Sequence, residues 1–256
     1  VAKGMTSFKV FLAYKGAFGV TDDELYNTLS LAKELGVIVT AHCENADLIA
    51  AKQAELVADG KVGPEWHEPS RPVSVEAEGV HHFCTFLEST GAAGYIVHTS
   101  NEPAVRIADQ FRGRGVDVKI ETVIPYLVID DTYAQKPDFE GAKYVMSPPV
   151  RSKEHQTFLW QSLADGRIDT VGTDHAPFDF VGQKDMGHPA RGADFTKIPN
   201  GIPSIEDRVN LLYTHGVCEN KITLNQFVAV ASTNSAKLFG LTGKGDIAEG
   251  ADADLV

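Results

Sequence analysis

Side chains that can bind metal ions or move protons occur in five short apolar segments of this sequence, mostly near the carboxyl end of each segment. They are Lys9, His42, His98, Ser147 and Asp174. Imidazole and carboxylate groups are the usual ligands of Zn²⁺ and similar ions at catalytic sites that leave one position open for water. The pattern indicates a metal centre, whereas a single strand histidine taken alone is more often a packing residue of the core.

Lys9 interrupts the apolar segment SFKVFLAY, residues 7–14. A lysine in such a segment is ordinarily solvated or extends its ammonium to the strand end, because burial of an unpaired charge is unfavourable. Burial lowers the pKa of an amine, and a neutral amine can add CO₂ to give an anionic carbamate. If Lys9 is buried, such a carbamate could bridge two metal ions.

Apolar segments alternate with helical patterns along the chain, which is typical of β/α units around a parallel sheet. Strands are predicted at 7–14, 37–43, 94–100, 116–123, 144–149 and 169–178, with helices at 22–35, 45–59, 83–89, 103–112, 153–164, 205–213 and 224–238. Reactive groups on many strand ends favour a (β/α)8 barrel over a doubly wound sheet, which concentrates them at one switch point. We therefore predict an α/β fold, a TIM-type (β/α)8 barrel without strands 1 and 2.

The composition limits the classes of molecule that this protein is expected to bind. The 256 residues include 23 basic and 35 acidic side chains, and the resulting net charge of −12 argues against binding to nucleic acid or to an anionic membrane surface. No apolar run reaches the roughly 18 residues that a membrane span needs. Three cysteines form no disulfide pattern, so a reducing, cytoplasmic location is expected. No GxGxxG follows a strand, so a dinucleotide site has no support.

Several sequence blocks resemble the dihydropyrimidinases and D-hydantoinases of the amidohydrolase superfamily. They are GMTSFKVFLAYKGAF, AHCEN, YIVHTS, FEGAKYVMSPPVR, TVGTDHAPF, DFTKIPNGIPSIEDR and TLNQFV. The resemblance implies a (β/α)8 barrel in residues 1–243, with the start of the C-terminal part of a small β-sandwich in 244–256. It also implies a homotetramer that hydrolyses the ring amide of a small cyclic ureide or imide, a hydantoin or a 5,6-dihydropyrimidine.

The resemblance also assigns roles to single residues. Carboxylated Lys9 would bridge two divalent ions, foremost Zn²⁺ with Mn²⁺ or another ion as alternatives; His42 and His98 would bind one ion, and Asp174 would bind the other and act as acid and base. Tyr14 would donate a proton to the oxyanion. Ser147 and Asn200 would hold the ring amide, and Phe11 and Phe18 would face the exocyclic substituent of the substrate.

One family feature is missing. The HxH pair on the family's first strand has no counterpart here, and the adjacent His81 and His82 lie in a helical pattern and cannot replace it. We expect the pair upstream of Val1, and expect the segment alone to be inactive. Allantoinase and dihydroorotase are alternatives within the enzyme class, and a collapsin-response-mediator-like interaction protein is the non-catalytic alternative.

Other residues of these types are assigned structural roles. Cys43 should point to the face opposite His42 and pack in the core. His175 either orients the site or supports the fold. The remaining histidines lie in polar loops or helices and are predicted to be solvated: His67, His155, His188 and His215. The last twelve residues are typical of a strand that enters a further unit.

Overall fold

The computed structural model describes residues 1 and 4–255, which contain one sheet of five parallel strands. The strands are β1 (Ser7–Phe11), β2 (Ile38–His42), β3 (Ala93–Ile96), β4 (Val118–Val123) and β5 (Thr170–Gly172). Their order in the sheet is β1-β2-β3-β4-β5, so each strand pairs with its neighbour in sequence. In a doubly wound sheet the order of the strands reverses at a switch point, whereas in a barrel the strands follow one another in sequence order. The observed order is that of the predicted barrel.

The two faces of this sheet differ in polarity. Alternate residues point to opposite faces of a strand, and one face is apolar and buried against helices: Val10, Val39, Ala41, Ile96 and Ile120. The strand register places polar residues on the other face: Lys9, Thr40, Tyr95, Glu121 and Thr170. A doubly wound sheet has helices on both faces and near-continuous apolar strands. The polar face is therefore the barrel interior.

Helices follow each strand and cover the apolar face. The α-helices are α1 (Asp22–Leu35), α2 (Ala46–Ala58), α3 (His67–Ser70), α4 (Val73–Thr90), α5 (Glu102–Gly113), α6 (Ile124–Val128), α7 (Lys153–Ala164), α8 (Arg208–Leu212), α9 (Leu224–Val228) and α10 (Asn234–Leu238). Two π-helical segments, Tyr213–Cys218 and Ala229–Thr233, follow α8 and α9. No helix in the described part of the chain is long and apolar enough to cross a bilayer.

Local capping explains why the first helix is predicted well. The Thr21 side chain accepts the amide N–H of Glu24 while the Glu24 carboxylate accepts the amide N–H of Thr21, which forms a capping box. Gly36 ends α1 with φ of 65°, a left-handed conformation that glycine adopts without strain. These signals act over a few residues, so the sequence contains them directly.

The predicted strand at 144–149 is wrong. A 3-10 helix, Glu140–Tyr144, leads into irregular backbone, so the sheet has five strands where six were predicted. Pro148 and Pro149 have no amide hydrogen to donate to a strand ladder, which disfavours a central strand there. Residues 244–255 form turns and contain no strand, contrary to expectation. The proposed domain boundary at residue 243 stays a prediction.

Candidate active site

Two histidines meet at the carboxyl edge of the sheet. His42 is the last residue of β2, His98 lies two residues beyond β3, and each is 2% exposed. His42 Nδ1 lies 3.0 Å from His98 Nε2. Two ring nitrogens that bind one tetrahedral Zn²⁺ at normal bond lengths are roughly 3.3 Å apart. The pair therefore has close to the spacing needed to hold one metal ion.

A buried carboxylate fixes the orientation of His42. His42 Nε2 lies 2.7 Å from Glu44 Oε2, which also accepts a hydrogen bond of 2.6 Å from Arg71 Nη1. Burial alone would raise the pKa of Glu44, but Arg71 and His42 hold it well below its ordinary value. The Glu44 carboxylate thus favours a proton on His42 Nε2 and leaves the Nδ1 lone pair directed at His98. This is the tautomer that a metal ligand at Nδ1 requires.

His98 is suited to the same role. Burial, together with the charges of His42 and Lys9, lowers the pKa of His98 well below its ordinary value, so its imidazole is neutral. Neutral imidazole is the form that binds metal ions. Its Nδ1 is buried and has no hydrogen-bond partner among the described residues.

Three of the predicted site residues have left-handed backbone conformations. The φ angles are 63° at Tyr14, 43° at His98 and 47° at Asp174. They belong to a set of six non-glycine residues with positive φ in the described chain, which also includes Asp138, Phe139 and Asn220. Such conformations cost free energy in non-glycine residues, and they cluster at active sites and ligand-binding regions. Tyr14, His98 and Asp174 follow strand ends by three, two and two residues, so each turn directs a side chain over the same edge.

Lys9 and Asp174 are less buried than the histidine pair. Lys9 is exposed, contrary to the expected burial, and its Nζ lies 4.7 Å from the Phe11 ring centroid. Burial raises the pKa of Asp174, and the charges of Lys9 and His42 oppose that shift. Lys9 therefore faces the same region as Asp174. Within residues 1 and 4–255, no group of three or more His, Cys, Asp or Glu side chains is close enough to hold a metal ion.

The predicted substrate-binding residues lie together. Burial raises the pKa of Tyr14, whereas the Arg71 charge and the nearby polar side chains of Ser147 and Asn200 lower it. The Tyr14 hydroxyl is thus next to both Ser147 and Asn200, although these residues are more than 130 positions away in sequence. A neutral phenol beside two polar side chains can donate a hydrogen bond to a carbonyl oxygen.

Aromatic side chains line the approach to His42. Phe11 and Phe18 have ring centroids 4.9 Å apart, and Tyr14 lies 4.8 Å from Phe18. The Phe11 and Tyr14 rings are 5.6 Å and 5.4 Å from the His42 ring. Phe18 is 59% exposed at the outer end of this cluster, where a ligand could contact it.

The structure corrects the prediction for His67. This residue is buried at the start of α3, and its Nε2–H donates to the Met146 carbonyl over 2.8 Å. Burial and the Arg71 charge lower the pKa of His67 to about 3. The polar, proline-containing sequence around His67 indicates a loop, but it folds as short helical turns that pack against residues 145–147. The hydrogen bond between His67 and Met146 joins residues 79 positions apart.

Other structural assignments agree with the predictions. Cys43 is buried in the apolar core, as expected from its position beside His42. His175 Nδ1 accepts the backbone N–H groups of Ser204 and Ile205 at 3.1 and 3.2 Å. Of the two roles considered for His175, the structure shows support of this loop. His215 lies at the surface against Glu219.

Sequence analysis missed Glu44 and Arg71. Glu44 lies inside the AHCEN block, two residues after His42, but β2 ends at His42, so the contact between the two side chains depends on the turn that follows the strand. Arg71 is 27 residues away, just after α3. Nothing in the local sequence indicates that its guanidinium is buried beside Glu44.

A comparison of the whole chain with known protein families gives one assignment. The model described as "Amidohydrolase family" matches residues 1–256. The chain belongs to the amidohydrolase family. This confirms the resemblance noted from the sequence blocks and agrees with the barrel order of the strands.

Similar proteins within the amidohydrolase family include hydantoinases and dihydropyrimidinases. A D-hydantoinase of Geobacillus stearothermophilus is 51% identical over 255 residues, which cover 99% of this chain and 53% of that protein. A dihydropyrimidinase of Rattus norvegicus is 40% identical over 257 residues, covering 99% of this chain and 49% of that protein. The solved structure of a "D-Hydantoinase (Dihydropyrimidinase)" from Thermus sp. matches with a TM-score of 0.96 and 59% identity, covering 100% of this chain and 55% of that one. The chain spans about half the length of these relatives.

Proposed function

We propose that the whole protein to which this amidohydrolase chain corresponds hydrolyses the ring amide of hydantoins or 5,6-dihydropyrimidines and releases N-carbamoyl amino acids. The observation that carries the proposal is the 3.0 Å approach of His42 Nδ1 to His98 Nε2, with Glu44 orienting the first ring. The similarity to proteins named D-hydantoinase and dihydropyrimidinase supports the choice of substrate class.

Two divalent metal ions are part of this proposal, with Zn²⁺ as the first candidate and Mn²⁺ as an alternative. His42 and His98 would hold one ion, Asp174 would hold the other, and carboxylated Lys9 would lie between them. When bound, such ions lower the pKa of water so that hydroxide is available near neutral pH. The buried histidine pair, with the neutral imidazole of His98, suits this donor set.

The residues of this chain would supply the remaining chemistry. Asp174 would take the proton from the attacking water and pass it to the ring nitrogen, because an amide anion is a poor leaving group. Tyr14 would donate its hydroxyl proton in a hydrogen bond to the carbonyl oxygen as negative charge develops there. Burial raises the pKa of Tyr14, which keeps the phenol protonated for this role.

Substrate recognition is assigned to the neighbouring residues. Ser147 and Asn200 would bind the ring amide groups, and their position beside the Tyr14 hydroxyl supports this role. Phe11 and Phe18 would contact the exocyclic substituent from the aromatic cluster next to His42. A homotetramer in the cytoplasm remains the predicted assembly and location.

A substrate panel on the full-length protein tests the proposal. Hydantoin, a 5-substituted hydantoin, dihydrouracil, allantoin and dihydroorotate are each incubated with the Zn²⁺-loaded enzyme, and the ring-opened products are separated by chromatography. We expect ring opening of the hydantoins or of dihydrouracil, its loss after chelation and in Asp174→Asn, and its recovery when Zn²⁺ is restored.

Other outcomes would contradict the proposal. Turnover of allantoin or dihydroorotate alone would favour those enzyme classes. A full-length protein that retains no divalent ion and opens none of the five rings would favour a non-catalytic interaction protein.

A further inference from the structure

Lys184 is a buried lysine that has no role in the proposed reaction. It begins a short 3-10 helix, Lys184–Gly187, and is 2% exposed. Lys184 also lines a cavity of about 400 Å³, together with apolar residues such as Phe178 and Ile202. No ion pair of Lys184 occurs within the described chain, and burial lowers its pKa to about 7. Burial of an amine without a carboxylate is unfavourable unless its hydrogens find other acceptors.

The acceptors are two backbone carbonyls from distant segments. Lys184 Nζ donates to the Val145 oxygen at 2.7 Å and to the Pro199 oxygen at 2.6 Å. The Val145 oxygen also accepts the backbone N–H of Gly201 at 3.0 Å. Lys184 therefore joins residues 145–147 to residues 199–201, which lie more than 50 positions apart.

These two segments contain Ser147 and Asn200. Neither segment belongs to a helix or strand, so no regular hydrogen-bond ladder fixes the position of its backbone. A further hydrogen bond from a buried side chain to residues 145–147 is that from His67 to the Met146 carbonyl, and the Val145 and Met146 side chains pack in apolar clusters. Cross-links of this kind are the means by which such irregular segments keep a defined spacing.

We infer that Lys184 is a positioning residue for substrate recognition, because its ammonium sets the spacing between the backbone segments that contain Ser147 and Asn200. The inference rests on the proposed function, in which those two residues hold the ring amide of the substrate. Lys184 donates its hydrogen bonds to the Val145 and Pro199 carbonyls and not to the metal ligands or Tyr14. Its effect is therefore on substrate binding and not on metal binding.

The test uses Lys184→Met in the full-length, Zn²⁺-loaded enzyme, because methionine keeps an unbranched apolar side chain and removes both hydrogen bonds. The control is Lys143→Met, since Lys143 lines the same cavity but is partly exposed and pairs with Glu140. We expect Lys184→Met to raise KM for hydantoin by roughly 10-fold to 100-fold, the range for a misplaced binding group. The fall in kcat should be smaller, and zinc content and the values for Lys143→Met should equal wild type.

A second measurement does not depend on turnover. Hydrogen–deuterium exchange should become faster in peptides that contain residues 145–147 and 199–201 of Lys184→Met, and should stay unchanged in peptides from α4. If the wild-type protein opens no cyclic amide, the proposed function fails, while faster exchange still establishes the link between the two segments. Unchanged KM together with unchanged exchange would overturn the inference.

A second variant covers a failure of Lys184→Met to fold. Lys184→Gln has a shorter side chain whose amide keeps N–H donors and can reach one of the two carbonyls. We expect KM for hydantoin, and exchange in the peptides that contain residues 145–147 and 199–201, to rise above the wild-type values. Wild-type values of both quantities in Lys184→Gln would overturn the inference in that case.

Discussion

The histidine pair and Lys9 lie on neighbouring strands of one sheet, yet the chain holds them differently. His42 and His98 are buried, and Glu44 and Arg71 fix the orientation of the first ring. Lys9 is exposed, and its Nζ lies over the Phe11 ring. The difference indicates that a site residue is immobilised where its partners are in the same chain. The partners proposed for Lys9 are two metal ions, which are not groups of the polypeptide.

Removal of a histidine should have the largest effect. His98→Ala in the full-length protein should weaken zinc binding by more than about 100-fold, because it removes a ligand. Loss of only a residue that hydrogen-bonds to a ligand already weakens metal binding by about 10-fold to 100-fold. Zinc is measured by mass spectrometry of the metal after dialysis against a chelator. His215→Ala, at an exposed histidine paired with Glu219, is the control and should retain zinc. Equal zinc retention in both variants would remove His98 from the metal site.

Lys9→Arg tests the exposed half of the site. A guanidinium stays protonated and cannot form a carbamate, so the variant should lose the bridging group and with it most of the activity. Native mass spectrometry of the metal-loaded wild-type protein should show the added mass of one CO₂ per subunit, which Lys9→Arg should lack. Lys15→Arg, at an exposed lysine paired with Asp47, is the control and should keep both the added mass and the activity. An unmodified, fully active wild-type protein would contradict the bridge.

Glu44→Gln tests whether orientation of His42 matters for the buried half. We expect zinc affinity to fall by about 10-fold to 100-fold, because the amide no longer fixes the His42 tautomer. The matched control is Glu76→Gln, at another buried carboxylate that pairs with an arginine, Arg151, and contacts no predicted ligand. Glu44→Gln leaves Arg71 without its anion and should be destabilised, whereas Arg151 keeps its ion pair with Glu68 in Glu76→Gln, so that variant should be destabilised less. A loss of affinity of the same size in Glu76→Gln would mean that the effect is on folding alone.

His67 provides a pH-dependent test of the buried network. Its folded-state pKa of about 3 is below the ordinary value of 6.5, so the unfolded chain binds a proton that the folded chain does not. The contribution of neutral His67 to stability is therefore complete above pH 6.5. It should decline by up to about 1.4 kcal/mol per pH unit as the pH falls from 6.5 towards 3. His67→Gln should reduce the slope of the free energy of unfolding against pH between pH 6.5 and 3, measured with urea at each pH, and an unchanged slope would contradict a neutral, buried His67.

The smallest effect is expected at the outer end of the aromatic cluster. Phe18→Ala should raise KM for an aryl-substituted hydantoin by about 10-fold, the size of a partial apolar contact, and leave KM for unsubstituted hydantoin unchanged. Because Phe18 is 59% exposed, the free energy of unfolding should change little. Tyr26→Ala, at a half-exposed residue of α1, is the control. A rise in KM that is equal for both substrates would contradict a role in substituent choice.

The elements of the fold were largely predictable. The strands around residues 7–11, 38–42 and 93–96 and the long helices follow from apolar periodicity and caps. The predicted strand at 144–149 failed because its composition favours a strand, while tandem prolines and side-chain contacts from Lys184 and His67 hold it as irregular backbone. Helix 205–213 begins only at Arg208 because Ser204 and Ile205 instead donate to His175.

The sequence by itself determined the alternation of strands and helices, the residue types able to bind metal ions and their location at strand ends, because those signals act over a few neighbouring residues. Only the tertiary structure decided which groups meet. His42 and His98 are 56 positions apart, Glu44 and Arg71 are 27 apart, and Lys184 and Val145 are 39 apart. Such contacts depend on how successive β/α units pack side by side. Local propensity contains no information about contacts between residues so far apart in the sequence.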